Sequence, residues 1–169
     1  FVVEKGRGDM QSWTYGFDLG EYDPALPLVI DPAILIYCGF ISGPANDQGT
    51  AIARDVAGNV YLTGWTESVG FPVTVGPDLV FNSTYLGPDA FVAKVNAAGT
   101  ALVYCGFIGG DRDDIGTGIA VDAAGNAFVA GITHSLNFPT TVGPGLSYHG
   151  TSSQYSEGFV TKVNASGTA

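Results

Sequence analysis

Cations are scarce in this sequence. Six Lys and Arg stand against sixteen Asp and Glu, for a formal charge of -10. Such a surface matches nucleic acid poorly, because its backbone is bound by clustered Lys and Arg. Long apolar runs are also missing. The longest, such as Ala33 to Tyr37, are far too short for a membrane span. Histidine and cysteine number two each. No third ligand joins His134 and His149, so a zinc-type site is not expected. Two cysteines leave the redox compartment open. Nucleophile elbows, phosphate loops and His-Glu motifs are absent, and nothing singles out a carboxylate pair for glycoside hydrolysis. An enzyme is therefore not expected, and no cofactor is implied.

What is present is apolar and glycine-rich: 46% hydrophobic residues and 25 Gly, with only 13% charged residues in a chain of 169. That is ample apolar surface to offset chain entropy, so a folded domain is expected rather than disorder. The chain opens at Phe1 rather than Met, which is read as processing or excision from something longer; a secreted protein would have lost its signal peptide. Two sequons, Asn82-Ser83-Thr84 and Asn164-Ala165-Ser166, nominate Asn82 and Asn164 as glycosylation acceptors. Arg7-Gly8-Asp9 spells an adhesion tripeptide but is read as a chance match.

An internal repeat dominates everything else. Tyr37-Cys38-Gly39-Phe40 returns as Tyr104-Cys105-Gly106-Phe107, and "FVAKVNAAGTA" from Phe91 returns as "FVTKVNASGTA" from Phe159. Between them Gly49 to Thr66 matches Gly116 to Thr133, and Phe71 to Pro77 matches Phe138 to Pro144. The unit is roughly 68 residues long. The chain thus divides into an N-terminal strand-rich extension (1–33), a first repeat (34–100) and a second repeat (101–169).

Each unit reads as four strands. In the second copy the first is Thr117 to Asp122 and the second Ala127 to Thr133, joined by Ala123-Ala124-Gly125-Asn126, where Gly and Asn supply positive φ. A long loop precedes the third, Phe159 to Asn164, whose counterpart is Phe91 to Asn96; the fourth is Leu102 to Ile108. Both faces of Leu102 to Ile108 are apolar, so the sheets are covered on both sides. Ala51, Ala53, Gly64, Gly118, Ala120 and Gly131 are small enough for close sheet contact. A four-stranded antiparallel meander stacked on its like is a propeller blade. The expected fold is all-β, with two β-propeller-like blades of four antiparallel strands each.

The motifs that carry this reading are Tyr104, Gly109-Gly110, Asp113-Asp114, Gly116, Ile119-Ala120-Val121-Asp122, Gly125-Asn126, Gly131, Thr133, Phe138-Pro139 and Phe159-Val160-Thr161-Lys162. In that order and spacing they resemble the SBBP repeat of bacterial and archaeal surface proteins, named for a seven-bladed β-propeller. The resemblance covers Ile34 to Ala169. Trp13 to Pro32 also resembles the segment that precedes such repeats. The first copy departs at Gly43-Pro44-Ala45-Asn46-Asp47, which lacks the double acid, and cysteine at 38 and 105 replaces the usual small polar residue. The resemblance implies an extracellular or cell-surface protein and no reaction.

The strand count is staggered. Ile34, Leu35, Ile36, Tyr37, Cys38, Gly39 and Phe40 form a fourth strand with no strands before it, and the second repeat has three strands with no fourth after it. The expected resolution is strand addition: Ile34 to Phe40 of one copy pairs with the edge Phe159, Val160, Thr161, Lys162, Val163 and Asn164 of another. An open apolar edge is otherwise a liability. Repeated head-to-tail, such a joint gives a ring or a filament. The alternative is an excerpt of a longer chain whose missing blades complete the ring. Ser12 to Asp18 and Leu26 to Ile30 read as further short strands, with Pro27 confining the second to an edge.

Other candidates are weaker. Asp111, Asp113 and Asp114 crowd one loop and are candidates for calcium, although ordinary turn chemistry is favoured. Asp55 and Asp122 each precede a Gly-Asn pair and are read as turn formers. Cys38 and Cys105 sit at equivalent strand positions; single buried thiols are favoured, with a disulfide between blades as the lesser option. The long loops Glu67 to Ala90 and His134 to Gly158 carry Phe71, Phe81, Tyr85, Phe138, Tyr148 and Tyr155. Loops of that length often bind partners, and surface glycans or proteins are the expected class. Phe71 and Phe138 are instead expected to plug the blade cores.

Overall fold

The computed structural model describes residues 2–5, 13–16, 36–84, 87–150, 152 and 154–168. It divides into two compact units, Phe1–Leu35 and Ile36–Ala169. In the first, β1 (Val2–Lys5) pairs antiparallel with β2 (Trp13–Gly16), with Val2 opposite Gly16 and Lys5 opposite Trp13. β2 falls inside the strand expected over Ser12 to Asp18. Leu26 to Ile30 lies outside the described residues.

The second unit is all-β. A first sheet of four strands runs in chain order: β3 (Asp47–Arg54), β4 (Val60–Thr66), β5 (Asp89–Val95) and β6 (Leu102–Ile108). A second sheet of three strands, also in chain order, holds β7 (Asp114–Val121), β8 (Ala127–Thr133) and β9 (Glu157–Val163). Every pairing is antiparallel, so each sheet is a meander of the kind the repeat predicts.

Local chemistry explains the tight connections. Between β7 and β8 the Asp122 carboxylate accepts from the Asn126 backbone N–H at 2.9 Å and from Asn126 Nδ2 at 2.8 Å. Gly125 supplies the positive φ of 81° that the turn needs. Asp55 and Asn59 do the same between β3 and β4. These hydrogen bonds to the ionised form hold both carboxyls below the usual carboxylate range.

β7 starts at Asp114, three residues ahead of the expected Thr117. A bulge between Gly116 and Gly118 absorbs the extra length, as one between Gly49 and Ala51 does in β3. The bulge also corrects the expected contact residues. Gly118 faces open space, whereas a Cβ on Gly116 would stand 2.2 Å from Thr63 Oγ1. The close approach of the sheets is therefore at Gly116.

The main core lies between the two sheets. Tyr61, Ala90, Val92, Tyr104 and Ile108 from the first meet Ala127, Val129 and Val163 from the second. Polar bonds tie the same junction: Thr50 Oγ1 donates to the Gly116 carbonyl, and Tyr61 OH donates to the Gly125 carbonyl at 3.2 Å. On the other face of the first sheet a second cluster holds Phe71, Phe91, Ala93, Cys105 and Phe107. Apolar cover on both faces is what the two-sided pattern of Leu102 to Ile108 anticipates.

Candidate functional site

The first sheet shows how a finished blade treats its outermost strand. On one side β6 pairs with β5, placing Phe107 opposite Phe91, Gly106 opposite Val92, Cys105 opposite Ala93 and Tyr104 opposite Lys94. Its other side is not bare. The Thr74 N–H donates to the Cys105 carbonyl at 3.0 Å, the Cys105 N–H to Val75 O at 2.9 Å, and the Phe107 N–H to Asp78 O at 2.8 Å. The loop after β4 thus folds back as a partial fifth strand and satisfies the edge. The loop from Glu67 to Ala90 therefore covers the β6 edge while leaving Val69, Leu79 and Val80 exposed. Phe71 and Phe81 are spent inside, with ring centroids 6.1 and 5.8 Å from Phe107. Phe71 does plug the blade core, as expected. Tyr85 lies outside the described residues.

The second sheet has no such strand among the described residues, and β9 is its edge. Its outer face is bare as well, whereas the matching face of the first sheet packs against the second. Val92 in β5 is fully buried, and its counterpart Val160 in β9 is 69% exposed. Lys94 is buried and Lys162 is exposed. Phe159 is half-buried against Phe138, with centroids 4.7 Å apart. The loop that should fold back is splayed: Val142, the counterpart of Val75, is 95% exposed. In this loop Tyr155 is also exposed.

Ile34 and Leu35 of the expected donor strand lie outside the described residues. Ile36 to Phe40 is described; it forms no strand, and Ile36 and Phe40 are almost fully exposed. Tyr37 alone is lodged, its ring against Gly99. The donor segment and the β9 edge are not brought together within the chain.

The remaining candidates separate. Cys38 is exposed and Cys105 buried, and both are free. The expectation of two buried thiols therefore holds only for Cys105, whose pKa burial pushes up to about 12. Cys38 is exposed because its segment has no strand to pair with, and no disulfide joins the two. Asp111, Asp113 and Asp114 do not form a cage. Asp113 is exposed, while Asp114 turns inward and accepts from the Gly110 N–H at 2.7 Å and Ser135 Oγ at 2.9 Å. Among the described residues no group of three or more His, Cys, Asp or Glu could hold a metal. Asp114 belongs to β7, and its carboxylate holds the turn that precedes the strand. Both sequon amides are internally bonded: Asn82 Nδ2 donates to Asp78, and Asn164 Nδ2 to the Thr168 carbonyl at 2.9 Å.

One feature has no forewarning in the local sequence pattern. Asp89 at the start of β5 and Asp114 at the start of β7 are both fully buried. They converge on Gly109, where a Cβ would lie 2.8 Å from Asp114 Oδ2 and 3.1 Å from Asp89 Oδ1. Burial first, then the Asp114 charge, pushes Asp89 up to about 7, and burial raises Asp114 as well. In each, Oδ1 has no hydrogen-bond partner among the described residues. Only an acid opening an otherwise apolar strand could have hinted at Asp89.

Among the described residues no helix is long and apolar enough to cross a membrane. The sequence model of the SBBP family, a β-propeller repeat, matches residues 39–72 and 83–139. No curated protein matches the chain.

Proposed function

The chain belongs to the SBBP β-propeller repeat family, and on that footing we propose that it is a structural protein of the cell exterior. It self-assembles head-to-tail by β-strand addition, as a ring or filament subunit, and performs no reaction. The carrying observation is the contrast between matching strands: β5 has β6 paired along its far side, while β9 ends its sheet with no strand beyond it among the described residues. A bare edge of this kind pairs with whatever strand fits it. The exposed Ile36 to Phe40 has the sequence type of β6, the strand that pairs with β5. The two sequons support an exterior location.

The test is mass under native conditions. The whole chain is expected to run as a multimer in light scattering, and a form lacking residues 1–40 as a monomer. A monomeric whole chain would end this reading. A second reading, a module that binds glycan or protein, draws on the exposed Tyr155 and the splayed loop around it. Retention of sugars on an array by a monomeric chain, lost in Tyr155→Ala, would favour it.

A further inference from the structure

Strand addition onto β9, on which this inference rests, leaves open what the edge selects. We infer that the acceptor is a two-walled slot requiring glycine at one position, and that its occupant is Tyr37 to Phe40 of a second copy. In the first sheet β6 lies between β5 and the loop strand 74–78. Gly76 and Gly106 meet there with no room for a side chain. A Cβ on Gly76 would lie 2.4 Å from Gly106 Cα, and one on Gly106 2.6 Å from Gly76 Cα. Any other residue at 106 would push the loop off the edge.

The second sheet carries the sequence of both walls, with no strand paired beyond β9 among the described residues. Thr141-Val142-Gly143-Pro144 repeats Thr74-Val75-Gly76-Pro77. A Cβ on Gly143 would meet nothing nearer than 3.8 Å, and one on Gly39 nothing within 4 Å. The two glycines that must touch in a filled slot are both free of neighbours. Carrying the pairing of β5 with β6 over to β9 sets the register: Phe40 opposite Phe159, Gly39 opposite Val160, Cys38 opposite Thr161. Phe40 then completes an aromatic cluster with Phe138 and Phe159, as Phe107 does with Phe71 and Phe91.

The occupant comes from another copy because the chain's own segment is already placed elsewhere. Tyr37 sits against Gly99 as Tyr104 sits against Gly167. Residues 36–40 therefore stand to the first sheet as β6 stands to the second, one blade ahead of it. That position lies on the opposite side from β9. A donor can keep its own Tyr37–Gly99 contact while filling a neighbour's slot.

The register is tested with the cysteine that is already present. In the first sheet the Cys105 N–H and C=O point to the loop, so Ala93 and Cys105 form a non-hydrogen-bonded pair across β5 and β6. Such pairs bring Cα atoms to about 4.5 Å, within reach of a disulfide. Thr161→Cys should therefore link to Cys38 of the next copy on mild oxidation, giving a ladder on non-reducing gels. Val160→Cys, on the other face and opposite Gly39, should link at least about tenfold less. Gly143→Val should lose assembly while melting as the parent does. An assembled sample in which Thr161→Cys does not crosslink, or Gly143→Val still assembles, overturns the slot but spares strand addition. A monomeric parent overturns both. So does a β9 edge protected from hydrogen exchange in a monomer, which would mean that another segment of the chain fills it.

Discussion

Tyr104 lies flat against Gly167. A Cβ on that glycine would come within 2.6 Å of both Tyr104 Cβ and Cγ, and its φ is +82°. The tyrosine belongs to the outer strand of the first sheet and the glycine to the turn after β9, so the contact fixes one blade on the next.

Gly167→Ala should destabilise the fold for two reasons, a left-handed φ and a collision with Tyr104. A cost of about 2 kcal/mol is expected, read as a lower midpoint in urea denaturation. An unchanged midpoint would mean that the turn relaxes freely.

The hydroxyls of the two core tyrosines should behave oppositely. Tyr61 OH donates to Asp55 Oδ2 at 3.1 Å or to the Gly125 carbonyl at 3.2 Å, whereas buried Tyr104 OH has no partner among the described residues. Tyr61→Phe should lose about 1 kcal/mol, and Tyr104→Phe should be neutral or stabilising by up to about 1 kcal/mol. Equal losses in parallel denaturant titrations would contradict this.

Stability should fall as pH rises from about 4 toward 7. Asp89, facing Asp114 and Asp78, has its folded pKa raised from 3.8 to about 7. The folded state therefore holds a proton that the unfolded chain releases, and its contribution is lost as pH passes 7. The expected drop in Tm between pH 5 and pH 8 is roughly 5 °C. Asp89→Asn should flatten the dependence, because its amide can donate toward the Asp114 oxygen that lacks a partner. A melting profile that rises over this range, or that Asp89→Asn leaves unchanged, would count against a proton held on Asp89.

The strands were legible because repetition and alternation are local. Two copies of Phe91-Val92 and two of Asp-x-x-Gly-Asn mark the same strands and turns twice. The three strands of the second repeat were legible for the same reason, whereas Ile36 to Phe40, read as a strand from its likeness to β6, forms none. What stayed hidden depends on contacts between elements. Thr74 to Asp78 shows no alternation, so its pairing with β6 could not be read. Asp89 and Asp114 are far apart in sequence and meet only because β5 and β7 belong to facing sheets. Cys38 copies Cys105 in sequence and departs from it in burial, because burial depends on partners as well as on residue type.

Were a subunit to contribute the two described sheets alone, a closed wheel would obey a rule of parity. If every copy adds this pair to a common wheel, blades accumulate in twos. Propellers typically hold about four to eight blades, so a closed wheel of such copies would have four, six or eight, from two, three or four chains. Odd wheels would be out of reach. Counting subunits in a single particle image would therefore also count its blades.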